Sequence, residues 1–318
     1  MSGSRRVAIA VLLCGLIASL PLAADADSQL VVSPDGKRMA SVRREGSNYW
    51  VRCWDLGTRK LVFEKPAANQ ITSIAFSPDG KMMAWSANQS GKTTIVAADG
   101  TPIKELDTNS GPSVVFGADS KSLITGIDTV RIVALPAGTA TDWPKPENLA
   151  IIASVSLSPD GKLLVTGHND GQIRIWELAS GKALATWDGH SQFVRTLRFS
   201  PDGKRIASVG DHRTDKAIKL WDTSGKLLAT LAGHTDDVYA LAWSSDGKRL
   251  ASGSEDNDAR IWDTTTNKLV RRIENPLNIG LEGAVFGKDG KTLYVSAKSA
   301  VKAFDTGSGK PVAQISDY

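Results

Sequence analysis

The residues Ser33-Pro34-Asp35-Gly36-Lys37 recur at 77–81, 158–162 and 200–204. A close variant stands at 244–248, and weaker copies stand at 117–121 and 287–291. The seven turn aspartates are Asp35, Asp79, Asp119, Asp160, Asp202, Asp246 and Asp289, spaced 40 to 44 residues apart. A period of that length identifies a chain made of one supersecondary unit repeated many times. Seven such units occupy residues 27–318, so a single domain is predicted there.

Each unit has the same internal plan. In the sixth, an apolar run at 238–243 enters the turn and a second short run follows at 249–252. A polar turn then leads to alternating residues at 259–263, and another turn leads to 268–272. Pro presets φ in the first turn, Asp caps its own backbone, and Gly accepts positive φ. The runs are short, rich in β-branched and aromatic residues, and bounded by turn residues, which predicts four antiparallel strands. One four-stranded sheet cannot cover both of its apolar faces. Seven sheets packed around an axis can, and they leave only short edges. The predicted fold is all-β, a seven-bladed β-propeller with four-stranded antiparallel blades. A linear solenoid would use much shorter coils.

Composition agrees with a packed core. Hydrophobic residues make up 41% and charged residues 23%. Four His and two Cys are too few for a disulfide framework or a Cys-rich zinc module. Lys and Arg number 38 against 34 Asp and Glu, with no basic run, so nucleic acid is not an expected partner. Residues 1–26 differ from the rest. Arg5 and Arg6 precede an apolar stretch over 7–20, then Pro21 and an Ala24-Asp25-Ala26 cleavage pattern. This is the layout of a secretory signal peptide. The stretch is shorter than the ~20 residues of a membrane span. Cleavage leaves no stable membrane insertion, and the alternative is an uncleaved tether. Only Cys53 would remain in the mature chain, so no internal disulfide is expected.

The units resemble the WD-repeat family across residues 28–316. Third runs end in Trp54-Asp55, Trp176-Glu177, Trp221-Asp222 and Trp262-Asp263, with Phe304-Asp305 a near match. Gly189-His190 and Gly233-His234 both place His 12 residues before the turn aspartate. The resemblance implies a buried chain of His, Ser or Thr, Asp and Trp in each well-matched blade. One set is His234, Ser252, Asp256 and Trp262; another is His190, Ser208, Trp221 and either Asp215 or Asp211, with Asp215 in the better register. A third blade has Thr166, Asp170 and Trp176 but Asn148 where His belongs. The match weakens over 92–107, where Ala97-Ala98 stands near the Trp-Asp position, and over 130–149, with Val133-Ala134. It weakens again over 277–289, which lacks Gly-His. Family rings usually close with an amino-terminal strand completing the last blade. Here the run at 29–33 begins a complete blade and 311–315 ends one, so closure by packing alone is expected.

No catalytic constellation is present in the sequence. His168 and His212 are expected in solvated turns between second and third strands, and Cys53 as a small buried hydrophobe. The recurrent aspartates repeat with the blades and serve turns. No metal site and no cofactor are predicted, and the chain is not expected to be an enzyme. One column of the repeat, seven residues before each turn aspartate, reads Ser28, Thr72, Pro112, Ala153, Arg195, Tyr239 and Glu282. Bulky polar residues gather in three consecutive units, and Phe193 and Asp237 stand two positions earlier. Tyr and Arg are enriched at binding hot spots. The predicted binding patch is Phe193, Arg195, Asp237, Tyr239 and Glu282, on one rim of the channel. The resemblance implies a non-catalytic scaffold with other proteins as partners; with the amino-terminal signal, a monomer of the bacterial cell envelope, periplasmic or secreted, is expected. The alternative is a propeller enzyme or small-ligand receptor with its site at the channel mouth.

Overall fold

The repeated turn is built as its residues dictate. The Ser33 hydroxyl donates to Asp35 Oδ1 at 2.6 Å, the Lys37 N–H donates to the same oxygen at 3.0 Å, and the Arg38 N–H donates to Ser33 Oγ at 2.9 Å. The same bonds recur around Ser77, Ser158, Ser200 and Ser244. Gly36 sits at φ 76°, a conformation that strains a side chain. In the third unit Ser120 takes this position at φ 58°. Its hydroxyl accepts the Asp79 N–H at 3.1 Å, so the side chain ties the third turn to the second.

The computed structural model describes residues 30–67, 69–87, 91–108, 113–144, 150–211, 215–274, 280–297 and 300–316. Residues 1–26, Ser28, Pro112, Asn148 and His212 lie outside the described residues. Seven sheets of four antiparallel strands form blades over residues 30–67, 71–107, 114–142, 152–188, 194–231, 238–274 and 283–316. Each blade uses four consecutive strands, and its first strand faces the axis. The fold is a seven-bladed β-propeller.

Register explains why blades without Trp-Asp still form. Trp54, Trp176, Trp221 and Trp262 pair with Met39, Leu164, Ile206 and Leu250. In blades 2, 3 and 7 the equivalent partners are Val96, Val133 and Phe304, all buried. Val96-Ala97, not Ala97-Ala98, therefore holds the Trp-Asp position in blade 2. The aspartate after the tryptophan has a separate duty. Asp55 Oδ1 accepts the Thr58 N–H at 2.7 Å, and Asp263 Oδ1 accepts the Thr266 N–H at 2.7 Å, capping the outer turns.

Apolar packing lies between blades. Leu197, Ile206 and Trp221 of blade 5 meet Val165, Ile173 and Ile175 of blade 4. Comparable clusters fill the other six interfaces. Arginines three residues after the turn aspartate reach across the same seams. Arg205 donates to Thr264 O at 3.0 Å and Gly247 O at 2.8 Å, Arg249 donates to Thr306 Oγ1 at 3.2 Å, and Arg38 donates to Ala98 O. The ring closes where Leu30, Met39 and Trp54 of blade 1 pack on Val301 of blade 7. No strand is exchanged across that seam among the described residues.

Packing at the seam therefore carries the closure. Met39 is fully buried, and Met39→Ala should lower unfolding free energy by roughly 2–5 kcal/mol. Leu227 is 46% exposed, and Leu227→Ala should stay within about 0.5 kcal/mol of the parent. Urea denaturation of both variants checks the contrast.

Candidate functional site: buried chains, rim and channel

Three adjacent blades contain a buried hydrogen-bonded chain. In blade 6 the Trp262 indole donates to Ser252 Oγ at 3.0 Å, the Ser252 hydroxyl meets His234 Nε2 at 2.7 Å, and His234 Nδ1 meets Asp256 Oδ2 at 2.8 Å. Blade 5 repeats this through Trp221, Ser208, His190 and Asp215, at 2.9, 2.7 and 2.8 Å. Asp215 takes the carboxylate position, and its Oδ2 also accepts Lys219 Nζ at 2.8 Å. Asp211 has a different duty, described below.

Blade 4 completes its chain by another route. The Trp176 indole donates to Thr166 Oγ1 at 2.9 Å, and Thr166 Oγ1 meets His168 Nε2 at 2.8 Å. His168 Nδ1 faces the Ala150 carbonyl at 2.9 Å. A carbonyl only accepts, so Nδ1 carries the proton and Nε2 receives the threonine hydroxyl. The expectation that His168 occupies a solvated turn is corrected. It ends the second strand, fully buried, because side chains two apart on a strand share a face and its ring falls beside Thr166. Asp170 stays outside the chain and accepts the Gln172 N–H at 3.0 Å.

The Ser–His–Asp order in blades 5 and 6 matches the order of a nucleophilic triad. Its setting does not. Ser208 and Ser252 are fully buried, and each Oγ is already occupied by an indole N–H. A substrate cannot reach them, so these sets hold strands together. No group of three His, Cys, Asp or Glu among the described residues is placed to hold a metal ion. Burial pushes the Cys53 thiol up to about 12, which keeps it protonated and unreactive at neutral pH.

One mouth of the channel gathers most of the predicted patch. The Arg195 guanidinium stacks over the Tyr239 ring at 4.6 Å. Its Nη2 lies 2.9 Å from Asp211 Oδ1 and 3.5 Å from Asp237 Oδ2. The Tyr239 hydroxyl donates to Glu255 Oε2 at 2.7 Å. Phe193 and Glu282 line the channel alongside Arg195 and Tyr239. Asp237 is buried behind them. Asp211 and Glu255 join this neighbourhood although the column of bulky polar residues does not contain them. Both follow second strands, and reading that column as well would have found them. The channel encloses about 470 Å³ and is lined by the first strands. Arg198, from the same strand as Arg195, also enters it.

The model of the WD domain, G-beta repeat, matches residues 57–98, 147–177, 181–222 and 225–263. The chain carries WD40 repeats. The three consecutive matches from residue 147 include the Thr or Ser, the Trp and a His or its replacement in blades 4 to 6. A subunit of the target of rapamycin complex, wat1 of Schizosaccharomyces pombe, is 27% identical over 62% of this chain and 66% of its own length. The Lissencephaly-1 homolog of Dictyostelium discoideum is 40% identical over 26% of this chain and 20% of its own. The chain thus spans less than two thirds of these relatives. The crystal structure of the Cps50 (Swd1) β-propeller domain of Myceliophteria thermophila superposes with a TM-score of 0.77. It covers 88% of this chain and 97% of that one at 16% identity, a likeness of fold.

Protonation of the WD-repeat chains sets an acid limit. Burial pushes Asp256 up, but hydrogen bonds from His234 and the Thr235 N–H outweigh it and hold the carboxyl at about 2. Burial likewise opposes His190 and Lys219 at Asp215, which also lies at about 2. Each contributes stability above the ordinary value of 3.8 that is lost as pH falls toward about 2. Burial lowers His168 and His190 below 6.5, so the unfolded chain takes up their protons first. Stability should therefore start to fall below pH 6.5 and fall again below 3.8. Asp256→Asn should lose about 1–3 kcal/mol at pH 7 and show a flatter second fall. Urea midpoints measured across this range test both limbs.

Proposed function

We propose that the protein is an exported, non-catalytic binding platform for other proteins, with its docking surface at the Arg195–Tyr239 rim. The carrying observation is the preorganised cation–aromatic pair, 4.6 Å apart and held by carboxylates on either side. A fixed Tyr and Arg lose little entropy when a partner docks. Asp211, Asp237, Glu255 and Glu282 surround the single charge of Arg195, so the rim is acidic overall. That field fits a basic segment on the partner. WD40 relatives support the reading: one is by name the subunit of a complex. The amino-terminal pattern of residues 1–26 supports export; a bacterial envelope as the destination and a monomeric mature chain complete the proposal.

Arg195→Glu is a poor probe, because it would put a third carboxylate beside Asp211 and Asp237. Tyr239→Ala keeps those pairs. Crosslinking in cells, followed by capture from the envelope fraction, identifies what the parent protein holds. Tyr239→Ala should weaken binding of that partner by about 30-fold, the loss of a hot spot, with the melting temperature nearly unchanged. Undiminished binding by Tyr239→Ala removes the rim as the docking surface. Amino-terminal sequencing of exported protein should begin at Asp27, and an intact Met1 refutes cleavage.

A further inference from the structure

The position four before each turn aspartate forms a ring of side chains inside the channel. Six blades place a small or apolar residue there: Val31, Ala75, Val115, Ser156, Ala242 and Val285. Blade 5 places Arg198. A guanidinium remains protonated in proteins. Among the described residues its hydrogen bond goes from Nη1 to the Leu197 carbonyl at 2.8 Å, and it forms no ion pair. Its side chain is exposed in the channel, and no carboxylate among the described residues pairs with it. Arg195, three residues earlier, holds Asp211 and Asp237. Arg198 therefore brings a charge and unused N–H donors into a lumen that packing alone would fill with valine or alanine. An anion in the lumen would supply the missing counter-charge and occupy those donors.

The adjacent ring position carries a second donor. Ser156 Oγ accepts the Phe199 N–H at 3.1 Å, which leaves the hydroxyl hydrogen to donate. The Trp243 indole donates to the Arg198 carbonyl at 3.2 Å and fixes the backbone that carries the guanidinium. The rest of the ring is apolar, and about 470 Å³ lies within the size range of small-molecule sites. We propose that the channel binds a small organic carboxylate, with its carboxylate on Arg198 and Ser156 and its apolar body against Val31, Val115 and Val285. Guanidinium recognises carboxylate and phosphate alike. The valines favour a ligand with an apolar part, which inorganic phosphate lacks.

Isothermal titration with sodium hexanoate, inorganic phosphate and 1-hexanol separates these chemistries. Hexanoate should bind the parent protein at one site, and neither phosphate nor hexanol should match it. Arg198→Met keeps bulk and removes charge; it should weaken hexanoate binding by about 10- to 100-fold, the loss expected for hydrogen bonds to a charged group. The melting temperature of Arg198→Met without ligand should stay close to the parent's, since the side chain is exposed. Arg198→Gln gives the same comparison if the Met variant fails to fold. The proposal is overturned if hexanoate does not bind the parent protein, if it binds the uncharged variants equally well, or if phosphate binds in its place.

Discussion

A four-stranded antiparallel sheet has two apolar faces, and in this chain each face is covered by the next copy of the same sheet. Every other feature depends on that contact. The apolar clusters lie between blades, and the ring closes by the same packing that joins any two blades. Arginines after the turns and serine hydroxyls on the first strands then add directional bonds across the seams. The turn aspartates have a different role. They hold each blade's own hairpin, which fixes how far each first strand extends along the axis.

Directional polar bonding is concentrated in blades 4 to 6. There a tryptophan, a hydroxyl and an imidazole are linked in each blade, and two of the three chains end on a carboxylate. Blades 2 and 3 place valine where the tryptophan would stand, and blade 7 places phenylalanine. An apolar side chain needs no hydrogen-bond partner, so the replacement itself leaves no indole N–H to satisfy. Blade 4 shows how tolerant the arrangement is. The ring of His168 reaches its hydroxyl from the same strand, and the chain survives with a backbone carbonyl in place of a carboxylate.

The first strand of blade 5 serves two places at once. Arg195 lies toward one mouth, compensated by acids and stacked on tyrosine. Arg198 lies three residues on, in a ring of small and apolar side chains. At ~3.3 Å per residue the two are about 10 Å apart along the strand. The compensated charge suits a rigid rim for a protein partner. The uncompensated charge suits a small anion within the channel.

Local chemistry made much of this legible in the residues themselves. A Ser-Pro-Asp-Gly-Lys turn has one favourable backbone path, so its spacing gave blade number, strand order and the self-contained first and last blades. The resemblance of Gly189-His190 and Gly233-His234 to the WD-repeat pattern implied the side chains that these histidines meet. Three matters awaited the folded chain. A strand's pleat put His168 beside Thr166 inside the blade; pairing register put Val96 in the tryptophan position; and the folded blade gave Asp215 to His190 and Asp211 to Arg195. Turns and periodic patterns depend on neighbours in sequence, so the sequence alone determined them. Which charges find a partner depends on side chains some 40 residues apart meeting across a ring, and only the tertiary structure decided that Arg195 is compensated while Arg198 is not.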